Sequence, residues 1–212
     1  MRTLQNYIDG RWLDSVSGRR SRCVNPADSD ETLCEAQSSV PEDVERAIAA
    51  AARAFPGWAQ TPAPRRAALL QEFWFRMKSR EEDFVRVITR ENGKTLRESR
   101  VEFQAALKEA DFQIGQGRRA AGKLLPSEVA GVSCCLMRRP LGVVTLITPW
   151  NFPLNVACRK LIPALIAGNC CVLKPSDLTP MSAALVFELL HEAGLPPGVA
   201  NYLAGRGSVI GD

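Results

Sequence analysis

With one histidine, two tyrosines and no pair of cysteines at C-x-x-C spacing, the 212-residue sequence lacks the parts for several kinds of chemistry. A hydroxyl or thiol activated by imidazole would need His191, and that residue falls in an apolar-periodic helical stretch where a surface or capping role accounts for it. The seven cysteines (Cys23, Cys34, Cys134, Cys135, Cys158, Cys170, Cys171) are odd in number and none has a histidine nearby. Neither a disulfide framework nor a zinc site is expected, and a reducing compartment fits. No stretch approaches the roughly 20 apolar residues of a membrane span, and the opening "MRTLQNYIDGRW" has no apolar core of signal-peptide length. A basic block is missing too: the net charge of +4, from 27 Lys and Arg against 23 Asp and Glu, is spread along the chain, and its arginine pairs carry no interleaved aromatics. These absences predict a soluble, cytoplasmic protein with no nucleic-acid or membrane partner and no bound metal.

At 46% hydrophobic and 24% charged, the chain can bury a core as one large domain or two small ones. "NYIDGRWLD" sets Asp-Gly between residues of high β-propensity and predicts a hairpin at a sheet edge. "SVPEDVERAIAAAARAF" predicts a helix, with Ser39 and Glu42 at capping-box spacing and Val44, Ile48, Ala51, Ala52 and Phe55 on its apolar face. Helical periodicity continues through "RRAALLQEFWFRMKSR", through "EEDFVRVITREN" ending at Asn92-Gly93, and through "LRESRVEFQAALKEADFQIGQGRR", so the first half is expected to be mainly helical. From Gly122, "GKLLPSEVAGVSCCLMRRP" reads as extended ribbon and turns.

After the ribbon the pattern becomes regular: strand "GVVTLIT", helix "LNVACRKLIPALIAG", strand "NCCVLKPS", helix "TPMSAALVFELLHEAG", strand "GVANYLAG". Continuously apolar strands alternating with helices predict a parallel sheet covered on both faces. The fold class is therefore α/β: a Rossmann-like doubly wound sheet, incomplete with three parallel strands, preceded by a helical N-terminal region. Pro163 inside the first of these helices predicts a kink. The expected divisions are residues 1–122, a ribbon over 123–140, and the β-α-β-α-β run over 141–212.

In open α/β sheets ligands bind beyond the carboxyl ends of the strands. Three loops qualify: "TPWNFP", "KPSDLTP" and "AGRGSVIGD". The last carries Gly205, Gly207 and Gly211 at the mouth of a helix, one residue off the G-x-G-x-x-G spacing, which suits either a phosphate or a plain turn. Each polar residue also has a bland reading. Lys174 could snorkel its ammonium to water, Asp177 could cap the next helix, and Asn151 could cap the helix that Pro153 opens.

Jointly, "ITPWNFPL", "IPALIAGNCCVLKPSDLTP" and the glycine loop resemble the aldehyde dehydrogenase superfamily. "YIDGRWLDS", "VNPAD", "AARAFPGWA", "ENGKTLRES" and "RRPLGVV" resemble further family segments in family order, so the resemblance covers nearly the whole chain. It implies NAD(P)-dependent oxidation of an aldehyde to a carboxylic acid through a cysteine thiohemiacetal and thioester. Asn151 matches the oxyanion-hole asparagine, where an uncharged amide can donate to a developing alkoxide. Thr148, Pro149 and Trp150 would flank the cofactor. Lys174, Pro175, Ser176 and Asp177 match the adenosine-ribose segment, and Gly207, Ser208 and Gly211 match the turn near the pyrophosphate.

Many family members carry glutamate where this chain has Asp177. A carboxylate there favours NAD over NADP by repelling a 2′-phosphate, although the shorter side chain leaves more room. The segment of residues 123–139 corresponds to the family's oligomerisation ribbon and implies a homodimer or homotetramer. No segment resembles the family's nucleophilic cysteine or general-base motif, and Cys158, Cys170 and Cys171 read as small buried hydrophobes. The expectation is the N-terminal, truncated part of such an enzyme, inactive alone. The alternative is a non-catalytic nucleotide-binding or subunit-association module. The aldehyde is unassigned, with semialdehydes a plausible class from overall similarity.

Overall fold

The computed structural model describes residues 2–119 and 122–211; Met1, Ala120, Ala121 and Asp212, the last residue of the glycine-loop segment, lie outside them. Strands β1 (Arg2–Leu4), β2 (Asn6–Ile8) and β3 (Arg11–Leu13) open the chain. The β2–β3 hairpin turns at Asp9-Gly10, both at positive φ (53° and 77°), as a type I′ turn requires. The expected hairpin is there, with β3 at the sheet edge.

Two strands not expected from sequence follow, β4 (Arg20–Asn25) and β5 (Asp28–Gln37), ahead of the helices that make up most of the first half as expected. They pair antiparallel through the Pro26-Ala27 turn, and β1 adds in parallel to β5, giving a three-stranded sheet in the order β1-β5-β4.

Helix α1 (Pro41–Gln60) starts one residue later than the Ser39 cap predicts. Val40 is the N-cap, and the Asp43 carboxylate accepts its backbone N–H at 3.1 Å. Ser39 is committed elsewhere, exchanging hydrogen bonds with the Asn6 amide at 2.8 and 3.1 Å. The buried seam of α1 is Ala47, Ala50, Ala51 and Trp58, whereas Ile48 and Ala52 are exposed. The small seam lets α1 lie close on the sheet: a Cβ on Gly198 would stand 2.7 Å from the Ala50 carbonyl oxygen.

Helices α2 (Ala63–Ser79), α3 (Glu81–Asn92) and α4 (Leu96–Gln116) follow as read from the sequence. Gly93, at φ 83°, ends α3 in the left-handed conformation and donates its N–H to Thr89. Residues after Gly122 form an exposed antiparallel ribbon, β6 (Lys123–Leu125) with β7 (Cys134–Leu136).

The β-α-β-α-β run is β8 (Val143–Ile147), α5 (Pro153–Ile166), β9 (Cys170–Lys174), α6 (Met181–Glu192) and β10 (Ala200–Tyr202), and α7 (Gly207–Ile210) opens after it. Strands β8, β9 and β10 are parallel. The sheet is not limited to these three, because β2 pairs antiparallel with β10 at Tyr7 and Tyr202 and extends the order to β3-β2-β10-β9-β8. Alternation along the strands splits the core. Val172, Ile8 and Leu203 pack with Ala47 and Ala50 of α1, while Cys171, Leu173, Tyr202 and Tyr7 join the α5 and α6 side. Strand β9, flanked by β10 and β8, is buried throughout, but edge strand β8 shows Thr145 and Ile147 on the surface, against the expectation of strands covered on both faces.

Helix α5 continues through Pro163 and is tied at its carboxyl end from outside. The indole of Trp58 donates to the Leu165 carbonyl at 3.1 Å. The buried guanidinium of Arg66 donates to Ile166 at 2.9 and 3.0 Å and also to Thr61. These bonds occupy carbonyls that a helix end otherwise leaves open. Burial pulls the Arg66 pKa below its ordinary value.

Candidate functional site

Parallel register brings the strand ends level: Ile147 stands opposite Lys174, and Leu173 opposite Tyr202. The backbone continues this alignment past the strands, with Thr148 N–H donating to Lys174 O at 3.1 Å and Leu203 N–H to Leu173 O at 3.0 Å. The three loops therefore leave one sheet edge side by side.

Lys174 is 7% exposed and donates to the Pro175 carbonyl at 2.8 Å instead of reaching out to water. Burial lowers its amine pKa, opposed by the charge of Asp177. Its stem reaches the glycine loop, since a Cβ built on Gly207 would lie 3.9 Å from Lys174 Cε. Gly207 and Ser208 are exposed in α7, and a Cβ on Gly211 would stand 2.4 Å from the Gly207 carbonyl oxygen, so the turn leaves no room for a side chain. Pro175 is buried, and Ser176 Oγ accepts from the Leu178 N–H at 3.2 Å. Asp177 is exposed.

Two buried glutamates decide the capping alternatives. Glu91 of α3 accepts from Met181 N–H at 2.7 Å and from both the N–H (2.9 Å) and hydroxyl of Ser182. Glu102 of α4 accepts from Leu154 N–H at 2.9 Å and Asn155 N–H at 3.1 Å. The first-turn donors of α6 and α5 are thus served from distant helices, and neither Asp177 nor Asn151 caps. Burial is the main cause that pushes Glu91 up to about 7, against the pull of its three hydrogen bonds.

Asn151 is exposed on the loop after β8, and its carboxamide has no hydrogen-bond partner among the described residues. Its backbone is held firmly. Asn92 Nδ2 donates to Trp150 O at 2.7 Å, and Lys94 Nζ donates to Asn151 O at 2.8 Å. Lys94 also pairs with Glu102 at 2.6 Å and lies 4.7 Å from the centre of the Phe152 ring. Trp150 is 54% exposed and Pro149 is exposed, whereas Thr148 is buried with its hydroxyl unpartnered. Beside this loop opens a hollow of about 350 Å³ whose charged lining is balanced, Lys94 and Arg97 against Glu98 and Glu102, with Phe152 and Asn155 from α5 and its cap. Neither Asn92 and Lys94, within "ENGKTLRES", nor Glu102 just after it stands out in the sequence as part of a site. Their only signal was an Asn-Gly helix end followed by a capping box at Thr95 and Glu98.

The thiols do not join this edge as nucleophiles. Burial pushes Cys158 up to about 12, Cys170 up to about 11 and Cys171 higher still; Cys23 is raised first by its hydrogen bond with Cys34 and then by burial. Cys134 and Cys135 are exposed on the ribbon. Among the described residues no group of His, Cys, Asp or Glu is arranged to hold a metal, and no helix is long and apolar enough to cross a membrane.

A mixed α/β fold with a Rossmann-like parallel sheet, and polar loops gathered on its carboxyl edge, is the class that this geometry defines. The chain belongs to the aldehyde dehydrogenase family, whose sequence profile matches residues 12–212. It is 41% identical over 210 residues to malonate-semialdehyde dehydrogenase 1 of Geobacillus thermodenitrificans, covering 99% of this chain and 43% of that one. Among solved structures, an E. coli NADP-dependent enzyme superposes with a TM-score of 0.96 at 36% identity, over 99% of this chain and 44% of that one. Betaine aldehyde dehydrogenase of Staphylococcus aureus in complex with NAD+ gives 0.95 at 35%, over 98% and 42%. The chain spans less than half the length of these relatives.

Proposed function

We propose that this chain is the dinucleotide-binding and oxyanion-stabilising part of an NAD(P)-dependent aldehyde dehydrogenase. The observation that carries the reading is the unpartnered Asn151 carboxamide, presented from a braced backbone on the edge that also holds Lys174 and the 207–211 turn. The residues suit a dinucleotide: exposed Gly207 and Ser208 beside the Lys174 stem, an exposed Asp177 carboxylate, and an orphaned Thr148 hydroxyl buried under the loop. Lys174, with Pro175 and Ser176 setting the turn, and Asp177 would take the adenosine ribose hydroxyls; Gly207, Ser208 and Gly211 would lie along the pyrophosphate; Pro149 and Trp150 would flank the ring end. The Asp177 carboxylate would repel a 2′-phosphate, which favours NAD. When bound, the dinucleotide supplies a two-electron acceptor for the aldehyde hydrogen.

Asn151 acts on the aldehyde. Thiolate attack converts the carbonyl oxygen to an alkoxide, and a fixed amide donor stabilises that charge without a proton to lose. The buried thiols of this chain are held protonated and do not supply the thiolate. The 212 residues alone are therefore expected not to oxidise aldehydes. A semialdehyde substrate is proposed from the likeness to the Geobacillus relative, named as a malonate-semialdehyde dehydrogenase. The exposed ribbon of residues 123–140 is proposed to associate with a second copy, as dimer or tetramer, because its edges and apolar Leu124, Leu136 and Met137 need covering.

The test is Asn151→Ala in the aldehyde-oxidising protein that carries this chain. Turnover is expected to fall by about 10² to 10³-fold with nucleotide affinity unchanged. A loss confined to nucleotide binding would refute the oxyanion role. A second reading, a nucleotide-binding or subunit-association module without catalysis, is favoured by the protonated buried thiols, and absence of turnover in any protein carrying the chain would select it.

A further inference from the structure

A peptide group is planar and moves as one unit, so a hydrogen bond that holds its carbonyl oxygen restrains the orientation of the whole unit. The two peptide planes that meet at the Asn151 Cα are those of the Trp150 and Asn151 carbonyls, and each of these oxygens is pinned by a side chain from one short segment. Asn92 Nδ2 holds the first at 2.7 Å and Lys94 Nζ the second at 2.8 Å. With both planes restrained, the range of φ and ψ at Asn151 is narrowed, and its carboxamide turns mainly about its side-chain torsions.

The clamp is itself anchored on three helices. Asn92 ends α3. Lys94 is held by Glu102 of α4 at 2.6 Å and by the Phe152 ring, and Glu102 is tied by its other oxygen to the first turn of α5. Gly93 between the two clamp residues must be glycine: its φ is 83°, and a Cβ there would stand 2.8 Å from Pro26 Cγ. The left-handed turn carries both neighbours to the loop that follows β8.

We propose that Asn92 and Lys94, backed by Glu102, are positioning residues that aim the Asn151 carboxamide at the developing oxyanion. The assignment of a catalytic consequence rests on the oxyanion reading of Asn151; the mechanical part does not. A preset donor does not have to be ordered during the reaction, which is where such groups gain their effect.

The mechanical part is tested on the 212-residue chain by amide hydrogen exchange. Asn92→Ala and Lys94→Met are expected to speed exchange in the peptide spanning residues 148–156 by about tenfold or more, with α2 and the centre of β9 unchanged. Asn92→Ala removes one neutral, partly exposed donor, so it keeps the comparison valid should Lys94→Met destabilise the fold by leaving Glu102 unpaired. Unchanged exchange over 148–156 in Asn92→Ala would overturn the clamp.

The catalytic part is read in the aldehyde-oxidising protein that carries the chain. Asn92→Ala is expected to lower kcat about tenfold, with the nucleotide KM within about twofold and the denaturation midpoint unmoved. Loss of kcat in Asn151→Ala with wild-type kcat in Asn92→Ala would overturn the positioning role. Wild-type kcat in Asn151→Ala would instead sink the oxyanion reading, and the exchange experiment would still decide the clamp.

Discussion

Glu91 should make this protein lose stability as the pH rises through neutrality, the reverse of what an ion-paired carboxylate does. Its side chain is 2% exposed at the amino end of α6 and faces Met181 and Ser182. Burial pushes it from 4.5 to about 7, with the Glu102 charge adding to the rise. Between these values the folded chain keeps a proton that the unfolded chain has released, so the unfolded state binds fewer protons and stability falls with increasing pH. The gap from 4.5 to about 7, at about 1.4 kcal/mol per pH unit, amounts to ~3 kcal/mol. Guanidinium unfolding of the wild type and Glu91→Gln at intervals from about pH 5 to about pH 8 measures this directly. The glutamine imitates the protonated acid, so the two should be of similar stability near pH 5, with the variant overtaking by up to ~3 kcal/mol near pH 8. Curves that run parallel across the whole interval would refute the reasoning, because a group that does not titrate in the window cannot produce a slope there.

Gly93→Ala forces a Cβ into the left-handed region against Pro26 and should cost about 1 to 3 kcal/mol, seen as a lower denaturation midpoint with the m-value unchanged. Arg66→Met keeps the aliphatic stem but leaves the Ile166 and Thr61 carbonyls without donors; about 2 to 4 kcal/mol is expected by calorimetry, and a change below roughly 0.5 kcal/mol would show that water takes over these bonds.

What the sequence disclosed was local. The Asp9-Gly10 turn, the end of α3 at Gly93 and the β-α-β-α-β run each rest on signals within a few residues, and all three are present. Strands β4 and β5 escaped because "DSDETLCEAQ" carries four charged residues in ten and buries only its second half, so no alternation stands out, and its parallel partner is three residues at the start of the chain. The face of α1 was misjudged because bulk was taken for burial. The helix lies so close to the sheet at Gly198 that alanines fill the seam and Ile48 is left outside. At the site, strand order alone put Asn151, Lys174 and the glycine turn on one edge. The caps that free Asn151 and Asp177 could not be read, since Glu102 and Glu91 lie 52 and 90 positions before the amides they serve.

The pairing of β2 with β10 has a bearing on how the protein is made. Asn6 accepts from the backbone of Ala204, 198 positions later, so the hairpin finds its sheet only after almost all of these residues have been translated behind it. At roughly 5 to 20 residues per second, the inner edge of that hairpin waits on the order of 10 to 40 s with its hydrogen-bonding groups unpaired. Slowed elongation within the last third of this stretch would therefore lengthen the exposure of an aggregation-prone strand, and chaperone dependence should rise with it.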